Sequence, residues 1–430
     1  MNMLKLKNFL YNRWLWAGLG LALLGLTAAI FLGPKLIYGN PTFASWVQKQ
    51  ISVQTEGKFN FETIHGGTFS ADLKNLSLDM GSTSSNVRKV VAPDLNASFA
   101  LLPLLQNKLV VTSIHMKSGT LDLRLNGADA AQISLPAANH FRLQKGTVNL
   151  SNLSGWNIQL DKCDLIVHQS GSKDNPNISG SLQATTAQIA NLTLQSLELD
   201  FKIENGTLMV ENLKAQLPGK SKLRLNGSYT LFGQRKIQTD LTLDSPDILS
   251  LLKALDFSER FAGEADVKLS AEGQFTPSLR SLTGSGKAKL NNIKPDVKMP
   301  SLPGFIDIPL LRRIRALNDL DGDAAFTLQA EKINITNLDL KNKDLRISGT
   351  AQVGYDRSLN SQLLFKGNKT VSEEIPNIAR SSFEHNAEGN VVIPFSLIPT
   401  TRDPQVDIGD IVNKIISNPI KVLNPLNMFK

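Results

Sequence analysis

The chain contains 430 residues, and its 46 Lys and Arg against 38 Asp and Glu give a formal net charge of +8. Hydrophobic residues make up 41 % of the chain, which is too much for general disorder. The single cysteine, Cys163, excludes a disulfide scaffold, a four-cysteine zinc site and a Cys-x-x-Cys redox motif. Half of the positive excess lies near the N-terminus, where no acid accompanies Lys5, Lys7, Arg13 and Lys35. The excess is therefore not gathered on one folded face, as nucleic-acid binding would require.

Residues 14–33, WLWAGLGLALLGLTAAIFLG, form an apolar run without a charged side chain. A helix of this length spans about 30 Å, the thickness of the hydrocarbon core of a bilayer. Basic residues precede the run and only Lys35 closely follows it, so the positive-inside rule places the N-terminus in the cytoplasm. We predict a cytoplasmic tail at 1–13 and an uncleaved transmembrane anchor at 14–37. A cleaved signal peptide is the main alternative, although no small-residue cleavage site closely follows the run.

The residues after the anchor predict a β-rich body. A short helix is expected from Asn40–Pro41, as N-cap and first helical position, to about residue 51. Beyond it, apolar and polar residues alternate with period two, for example at 121–125 and 197–203, which is typical of strands with one apolar and one polar face. The apolar positions change phase between Leu194 and Leu197. This change predicts a turn or a β-bulge near Gln195–Ser196 that keeps both halves facing one side.

The sequence contains no recognisable catalytic motif. The five histidines are scattered, and the spacings of a zinc protease, a nucleophile elbow and a P-loop are all missing. We interpret 284–286, Gly-Ser-Gly, as a turn or a strand end. Residues 319–323 begin like a calcium loop, but Ala324 and Ala330 stand where that loop needs glycine and a bidentate acid, so an acidic helix-to-strand connector is expected. We therefore predict no enzymatic activity, no metal site and no cofactor.

Two stretches carry a family resemblance. Residues 101–123 contain a leucine-rich turn, a basic residue and strands of alternating pattern. Residues 310–353 contain a leucine-rich helical pattern, a strand led by Phe326 and paired hairpins, and they are followed by the segments Ile393–Leu397 and Asp403–Asp407. Together with the N-terminal anchor, these patterns resemble the AsmA family of bacterial envelope proteins.

The resemblance implies a fold and a domain order. The expected fold is mainly β with one N-terminal transmembrane helix, an elongated, curled antiparallel sheet that forms a β-taco-like groove, and a few short amphipathic helices. The expected regions are an AsmA N-terminal-like helix and β region at 38–130, a β-rich repeat region at 131–300, an AsmA C-terminal-like β domain at 301–400 and a C-terminal amphipathic tail at 401–430.

The resemblance also implies a function. It predicts a single-pass protein of the bacterial inner membrane whose main body is periplasmic and whose apolar groove binds and transfers membrane phospholipids in support of outer-membrane assembly. Envelope proteins are possible partners at the C-terminal end, and no nucleic acid is expected. The residues expected to line the groove are Leu121, Leu123, Leu125, Leu197, Leu199, Phe201, Phe326, Leu328, Leu338 and Leu340.

Two alternatives remain open on the sequence. The same leucines would form an ordinary core if the sheets closed into a sandwich or a barrel. The chain could also be an anchored structural scaffold of an envelope complex that carries no lipid, because sheet edges recruit partner strands.

Overall fold

The computed structural model describes most of the chain after the predicted anchor. The described residues are 40–42, 44–45, 48–49, 52, 57–67, 70–79, 87–100, 111–124, 139–153, 156–171, 176–189, 192–217, 221–230, 236–254, 260–274, 281–296, 318–329, 331–375, 384–401 and 404–407. The predicted anchor at 14–37 and the predicted helical stretches at 306–317 and 410–420 lie outside them. Among the described residues, no helix has the length and apolarity needed to cross a bilayer.

The predicted helix start at residue 40 is confirmed. Residues 41–42, 44–45, 48–49 and 52 are helical. The Asn40 side chain accepts a hydrogen bond from the Thr42 backbone N–H at 2.8 Å, which satisfies one of the donors that a helix leaves unpaired in its first turn. Pro41 occupies the first helical position, where its missing N–H costs nothing.

The chain divides into two compact units. The first comprises residues 1–153 and 157–185, and the second comprises 154–156 and 186–430. The strands that belong wholly or mainly to the first unit are β1 (Lys58–Asn60), β2 (Thr63–Gly66), β3 (Ser70–Asp79), β4 (Val87–Phe99), β5 (Val111–Lys117), β6 (Thr120–Arg124), β7 (His140–Leu153), β8 (Trp156–Gly171) and β9 (Pro176–Ile189).

The described residues of the second unit form further strands and two short helices. They are β10 (Leu192–Glu204), β11 (Thr207–Gln216), β12 (Lys222–Thr230), β13 (Lys236–Asp244), α1 (Ile248–Ala254), β14 (Phe261–Gln274), β15 (Thr283–Pro295), β16 (Leu320–Gln329), β17 (Lys332–Lys341), β18 (Leu345–Gly354), β19 (Leu359–Gly367), α2 (Lys369–Glu373), β20 (Glu384–His385), β21 (Val391–Pro399) and β22 (Pro404–Asp407). The fold is thus mainly β with few helices, as the alternating pattern predicts.

In the first unit, the consecutive strands β5 and β6 form one long composite strand between β4 and β7. β3 pairs antiparallel with β1, β2 and β4, and β4 pairs antiparallel with both β5 and β6. β5 and β6 are two parts of that composite strand, separated at Ser118 and Gly119, and both pair in parallel with β7. The apolar face of this sheet is closely packed, since Met116 and Leu143 lie opposite each other and are fully buried.

The second unit is a run of antiparallel neighbours. Each strand from β10 to β18 pairs with the next one along the chain, and β21 pairs with β19, β20 and β22. Antiparallel neighbours need only short connections, which explains the many turn signals in the sequence. Every described pairing in this unit is antiparallel.

The predicted bulge in β10 is confirmed. The register with β11 shifts between Gln195 and Glu198, and Ser196 has a left-handed backbone with φ 50°. Leu194 and Leu197, on either side of the bulge, are 3 % and 6 % exposed. The extra residue therefore returns both apolar series to one face, because a shift of one residue would otherwise turn the second series outward.

Aspartates on neighbouring strands support several left-handed positions. The backbone N–H groups of Lys145, Ser245 and Asn292 point away from the regular ladder and each donates to a carboxylate: Asp164 at 2.8 Å, Asp266 at 2.8 Å and Asp321 at 2.9 Å. The last of these carboxylates lies in the segment 319–323, which was expected to connect a helix to a strand. That prediction is wrong in part, because residues 320–323 belong to β16. In that strand the Asp321 carboxylate accepts the hydrogen bond from the Asn292 backbone N–H.

One end of the second unit holds a dry core on its apolar face. Helix α2 closes this core, and Asn368 begins that helix by accepting the Val371 N–H at 2.9 Å. The Ser372 hydroxyl in turn accepts the Val391 N–H at 2.9 Å. The members of the core are Ile293, Leu320, Leu340, Leu345, Ile347, Leu363, Phe365, Val371, Ile375, Val391, Ile393, Phe395 and Val406.

Candidate functional site: an apolar sheet face in the second unit

A row of leucines crosses five neighbouring strands of the second unit. Residues directly opposite each other on antiparallel strands project from the same face of the sheet. The registers of β10 to β14 place one leucine after another in this relation, and we call the set the leucine row: Leu199, Leu213, Leu225, Leu241 and Leu269. All of them are only partly buried. The row therefore differs from a packed core, in which such side chains are fully withdrawn from water.

The rows beside the leucine row are also apolar. One runs from Phe201 through Val210 to Gly227 and continues to Thr239 and Ala271. The Thr239 hydroxyl donates to the Asn226 carbonyl at 3.1 Å, so it does not offer its proton to the face. The row on the other side crosses β11 to β14 and consists of Ala215, Leu223, Leu243 and Val267. These three rows form a surface on which hydrocarbon predominates.

The opposite face of the same strands is polar. Arg224 and Lys268, the neighbours of Leu225 and Leu269 in sequence, are exposed. Arg224 forms an ion pair with Asp244 at 3.0 Å, and Lys202 forms one with Glu211 at 2.6 Å. Such exposed pairs contribute little to stability, but they show that this face is solvated. The two faces of β10 to β14 are thus chemically distinct.

An aromatic ring lies in the continuation of the leucine row. Across β15 and β16 the row continues from Leu269 to Gly286 and then to Phe326. A side chain at Gly286 would overlap the Phe326 ring, whose Cε2 lies 2.7 Å from the position of a Cβ. The ring therefore covers the glycine. Residues 284–286 directly follow Thr283, the first residue of β15, so they lie at a strand end, which is one of the two interpretations that the sequence left open. Glycine is needed at position 286 to admit the ring.

Beyond Phe326 the same face approaches the dry core. The leucine row continues to Ile335 on β17 and Ala351 on β18. Four positions away from Ala351 on β18, a second row across β17, β18, β19 and β21 contains Leu340, Ile347, Phe365 and Ile393, which all belong to the core. The face consequently has two parts: the row itself, which is partly buried from Leu199 to Ala351, and the dry core, which lies along another row of β17 to β21.

The structure places the predicted groove residues in both units. Leu121 is buried and Leu123 partly buried in the first unit, and Leu125 lies outside the described residues. The others share the apolar face of the second unit: Leu197, Leu199 and Phe201 on β10, Phe326 and Leu328 on β16, and Leu338 and Leu340 on β17. The register joins Leu199 with Phe326 in one row. Three of them, Leu197, Leu328 and Leu340, are buried, which suits packing better than ligand contact.

Sequence reasoning missed most of the leucine row. Leu225, Leu241 and Leu269 stand in short alternating stretches, so the signal for a strand was present. Leu213 is harder to find because the register shifts between Val210 and Leu213, which breaks the alternation. That these leucines stand side by side depends on pairing between strands, which local pattern does not encode.

The only cysteine is not a candidate nucleophile. Cys163 is fully buried on β8. Burial, followed by the charge of Asp164, raises the pKa of its thiol to about 12. Because the thiolate is the reactive form, this thiol is inert at neutral pH.

Two histidines that the sequence separates meet in the first unit. The Nδ1 atoms of His140 on β7 and His168 on β8 lie 3.1 Å apart, with the ring centroids 4.6 Å apart. One ring must donate and the other accept, so at least one of these nitrogens is unprotonated. Burial, then the charges of His168, Arg142 and His115, lower the pKa of His140.

We expect this pair to make the first unit less stable in acid. Since the pKa of His140 is lower in the folded protein, the unfolded chain binds protons more readily, and stability falls as pH drops below about 6.5. Replacing His168 with Gln removes the neighbouring charge and should reduce this loss. Urea unfolding of the full chain at pH 7.5 and pH 5 measures it. An equal acid loss in both proteins would contradict the assignment.

Comparison with known proteins does not assign a function to this site. No family model, curated protein or solved structure matches the chain. Within the described ranges, no three or more His, Cys, Asp or Glu side chains are placed to hold a metal ion. The candidate site is therefore defined by the leucine row, the two rows beside it and the Phe326 ring.

Proposed function

We propose that this protein binds the acyl chains of membrane phospholipids on the apolar face of β10 to β14 and transfers lipid between membranes of a bacterial envelope. The observation that carries the proposal is the leucine row, a continuous apolar surface that is only partly buried. Each methylene that it removes from water contributes about 0.8 kcal/mol. An acyl chain therefore gains substantially by lying along it.

Hydrocarbon suits this surface better than an extended peptide does. The backbone N–H and C=O groups of these strands are largely engaged in the ladders that join them. The side chains of the leucine row offer neither donors nor acceptors. An extended peptide on this face would leave its own backbone groups unpaired, at a cost of about 1–3 kcal/mol for each buried group. An acyl chain carries no such penalty.

The resemblance to the AsmA family supports the rest of the proposal. It suggests that the sheet curls into a groove, that the segment at 14–37 anchors the protein in the inner membrane, and that the body faces the periplasm. In this arrangement lipid headgroups remain at the open side of the groove and in water. The protein itself forms or breaks no bond.

Site-specific photo-crosslinking tests the proposal in the full chain. A photoreactive amino acid replaces Leu225 on the apolar face or Arg224 on the opposite face, in cells whose phospholipids carry radioactive phosphate. We expect labelled lipid on the protein after illumination from position 225 and only background from position 224. Equal labelling at the two positions, or none at 225, would contradict acyl-chain binding on this face.

A structural scaffold is the second candidate, and one observation favours it. Leu364 on β19 and Ile398 on β21 are 39 % and 37 % exposed, and Pro394 lies directly opposite Leu364. Leu364 and Pro394 are both exposed and adjacent, and contiguous apolar patches on a surface can mark protein contacts. A photoreactive residue at 364 that captures one protein in stoichiometric amounts, with no lipid captured at 225, would favour the scaffold.

A further inference from the structure

We propose that the C-terminal tail, residues 408–430, docks on the outer, otherwise polar face of the second unit, over a small apolar patch on β19 and β21. This outer patch consists of Leu364, Val392, Pro394 and Ile398. The inference goes beyond the proposed function and does not depend on lipid binding. It is carried by the place where the chain leaves β22, by the routes that are closed to it there, and by the apolar pattern of the tail.

The outer patch interrupts a polar face. On β17 and β18 this face carries Asp339 and Arg346, which form an ion pair at 2.5 Å. On β19 and β21, by contrast, Leu364 lies directly opposite Pro394, and both side chains are exposed. Apolar surface is thus gathered on the strands next to β22, the last strand that the structure describes.

The chain leaves β22 directly beside this patch. Because β22 runs antiparallel to β21 with Asp407 opposite Ser396, the chain that continues from Asp407 heads towards Pro394. Pro394 lies one strand spacing and two residues from Asp407, roughly 8 Å away, and Leu364 lies one spacing further, roughly 12 Å away. Four extended residues reach about 13–14 Å, so the tail covers both distances by Ile411.

Two other routes from the end of β22 are closed. β19 lies along one edge of β21 as far as the bridge between Ser358 and Thr400, so β20 and β22 share the other edge. β20 takes this edge at Val391 and Val392, so a continued β22 would soon meet it. The inner face of β21 is filled by the dry core, in which Val391 and Ile393 are fully buried. The outer face is the side of the sheet that stays open to the tail.

The sequence of the tail suits this face. Gly409 allows the chain to turn out of the sheet, and Asp410 is a favoured N-cap residue of a helix. The apolar residues that follow recur at helical spacing: Ile411, Val412, Ile415 and Ile416. They predict a helix with one apolar face, which needs an apolar surface to cover it.

The size of the outer patch favours the tail over a separate protein. A stable interface between two proteins takes about 20–30 residues from each partner, far more than this patch offers. A tethered tail needs less, because its covalent link holds it near the patch at a high effective concentration. With the tail in place, the exposed leucine that favours a scaffold is covered by the chain itself.

Disulfide mapping in the full chain tests the docking. The single native cysteine, Cys163, is fully buried, so it need not be removed. Leu364→Cys is combined with Ile415→Cys, on the apolar side of the predicted helix, or with Ser417→Cys, on its opposite side. After mild oxidation and digestion, we expect mass spectrometry to find the 364–415 link and little of the 364–417 link. Mixing isotope-labelled with unlabelled protein distinguishes links within one chain from links between copies.

Maleimide labelling gives a second measurement that needs no cross-link. Leu364→Cys is compared with Thr350→Cys, a polar position on the outer face of β18. We expect position 364 to react about tenfold more slowly, and Ile415→Asp to remove most of this protection because it deletes one buried isoleucine. Ser417→Asp adds the same charge on the opposite side of the predicted helix and should keep the protection. Position 350 should react alike in every variant, which shows that the sheet is intact.

The outcomes separate the tail from other occupants of the patch. A 364–415 link within one chain, with protection lost in Ile415→Asp and kept in Ser417→Asp, supports the docking. Links formed only between copies, or rapid labelling of position 364 when the tail is unaltered, would overturn it. Protection that persists in Ile415→Asp would also overturn it, because a partner protein or a second copy would then be the cover. If oxidation yields no link at all, the labelling result decides.

Discussion

Phe365→Ala is expected to lower the free energy of unfolding by about 3–5 kcal/mol, the usual cost of removing a fully buried phenyl ring. Phe365 is 0 % exposed and lies at the centre of the dry core, with Ile347 on one neighbouring strand and Ile393 on the other. The loss combines the transfer of the ring out of the core with the cavity that it leaves. Pulse proteolysis of the full chain over a series of urea concentrations measures it.

The adjacent residue supplies the matched control. Leu364 projects from the opposite face and is 39 % exposed, so Leu364→Ala should change the free energy of unfolding by only about 0.5 kcal/mol. A loss of stability at Leu364 as large as that at Phe365 would mean that the outer face of β19 is also packed. The contrast between the two variants thus tests which face of this strand carries the core.

The local pattern of this chain was enough to predict strands but not their pairing. Alternation identified β10, and the change of phase at Leu194 to Leu197 located its bulge to within two residues, because a bulge is a local event on one strand. Gly286 was correctly assigned to a turn or a strand end, but the reason for a glycine there could not be predicted, because it depends on the ring that covers it. That ring belongs to Phe326, on a different strand.

The candidate site shows the same division between local and long-range information. Leu199 and Phe326 were both predicted to line the groove, but the sequence gives no sign that they stand in one row, 127 positions apart in number yet joined through β11 to β15. Nor does it separate Leu340, which the structure buries in the core, from Leu338, which is only partly buried. The alignment of Leu199 with Phe326 and the burial of Leu340 both depend on residues that are distant in the sequence, on other strands and on α2.

Leu241→Asp is expected to reduce the phospholipid retained by the full chain tenfold or more. Leu241 is the fourth member of the leucine row and is partly buried between Leu225 and Leu269. A carboxylate there can keep its hydrating water, which prevents two or three methylenes of the acyl chain from contacting the sheet. Otherwise it loses that water, at a cost of several kcal/mol. Even the first case costs about 2 kcal/mol, enough for more than a tenfold loss of affinity. Mass spectrometry of lipid that remains after detergent exchange measures the effect.

Thr242→Asp is the matched control, because residue 242 is the next along β13 and projects from the opposite face, opposite Lys268. It adds the same charge and should leave lipid retention unchanged. Leu241→Ala distinguishes an ordinary core from a lipid-binding surface if Leu241→Asp fails to fold. If the alanine variant also loses several kcal/mol of stability, the leucine row is an ordinary core and the lipid proposal falls. If it folds normally and retains less lipid, the row contacts lipid. A leucine whose side chain contacts only water and bound lipid contributes little to the stability of the sheet itself.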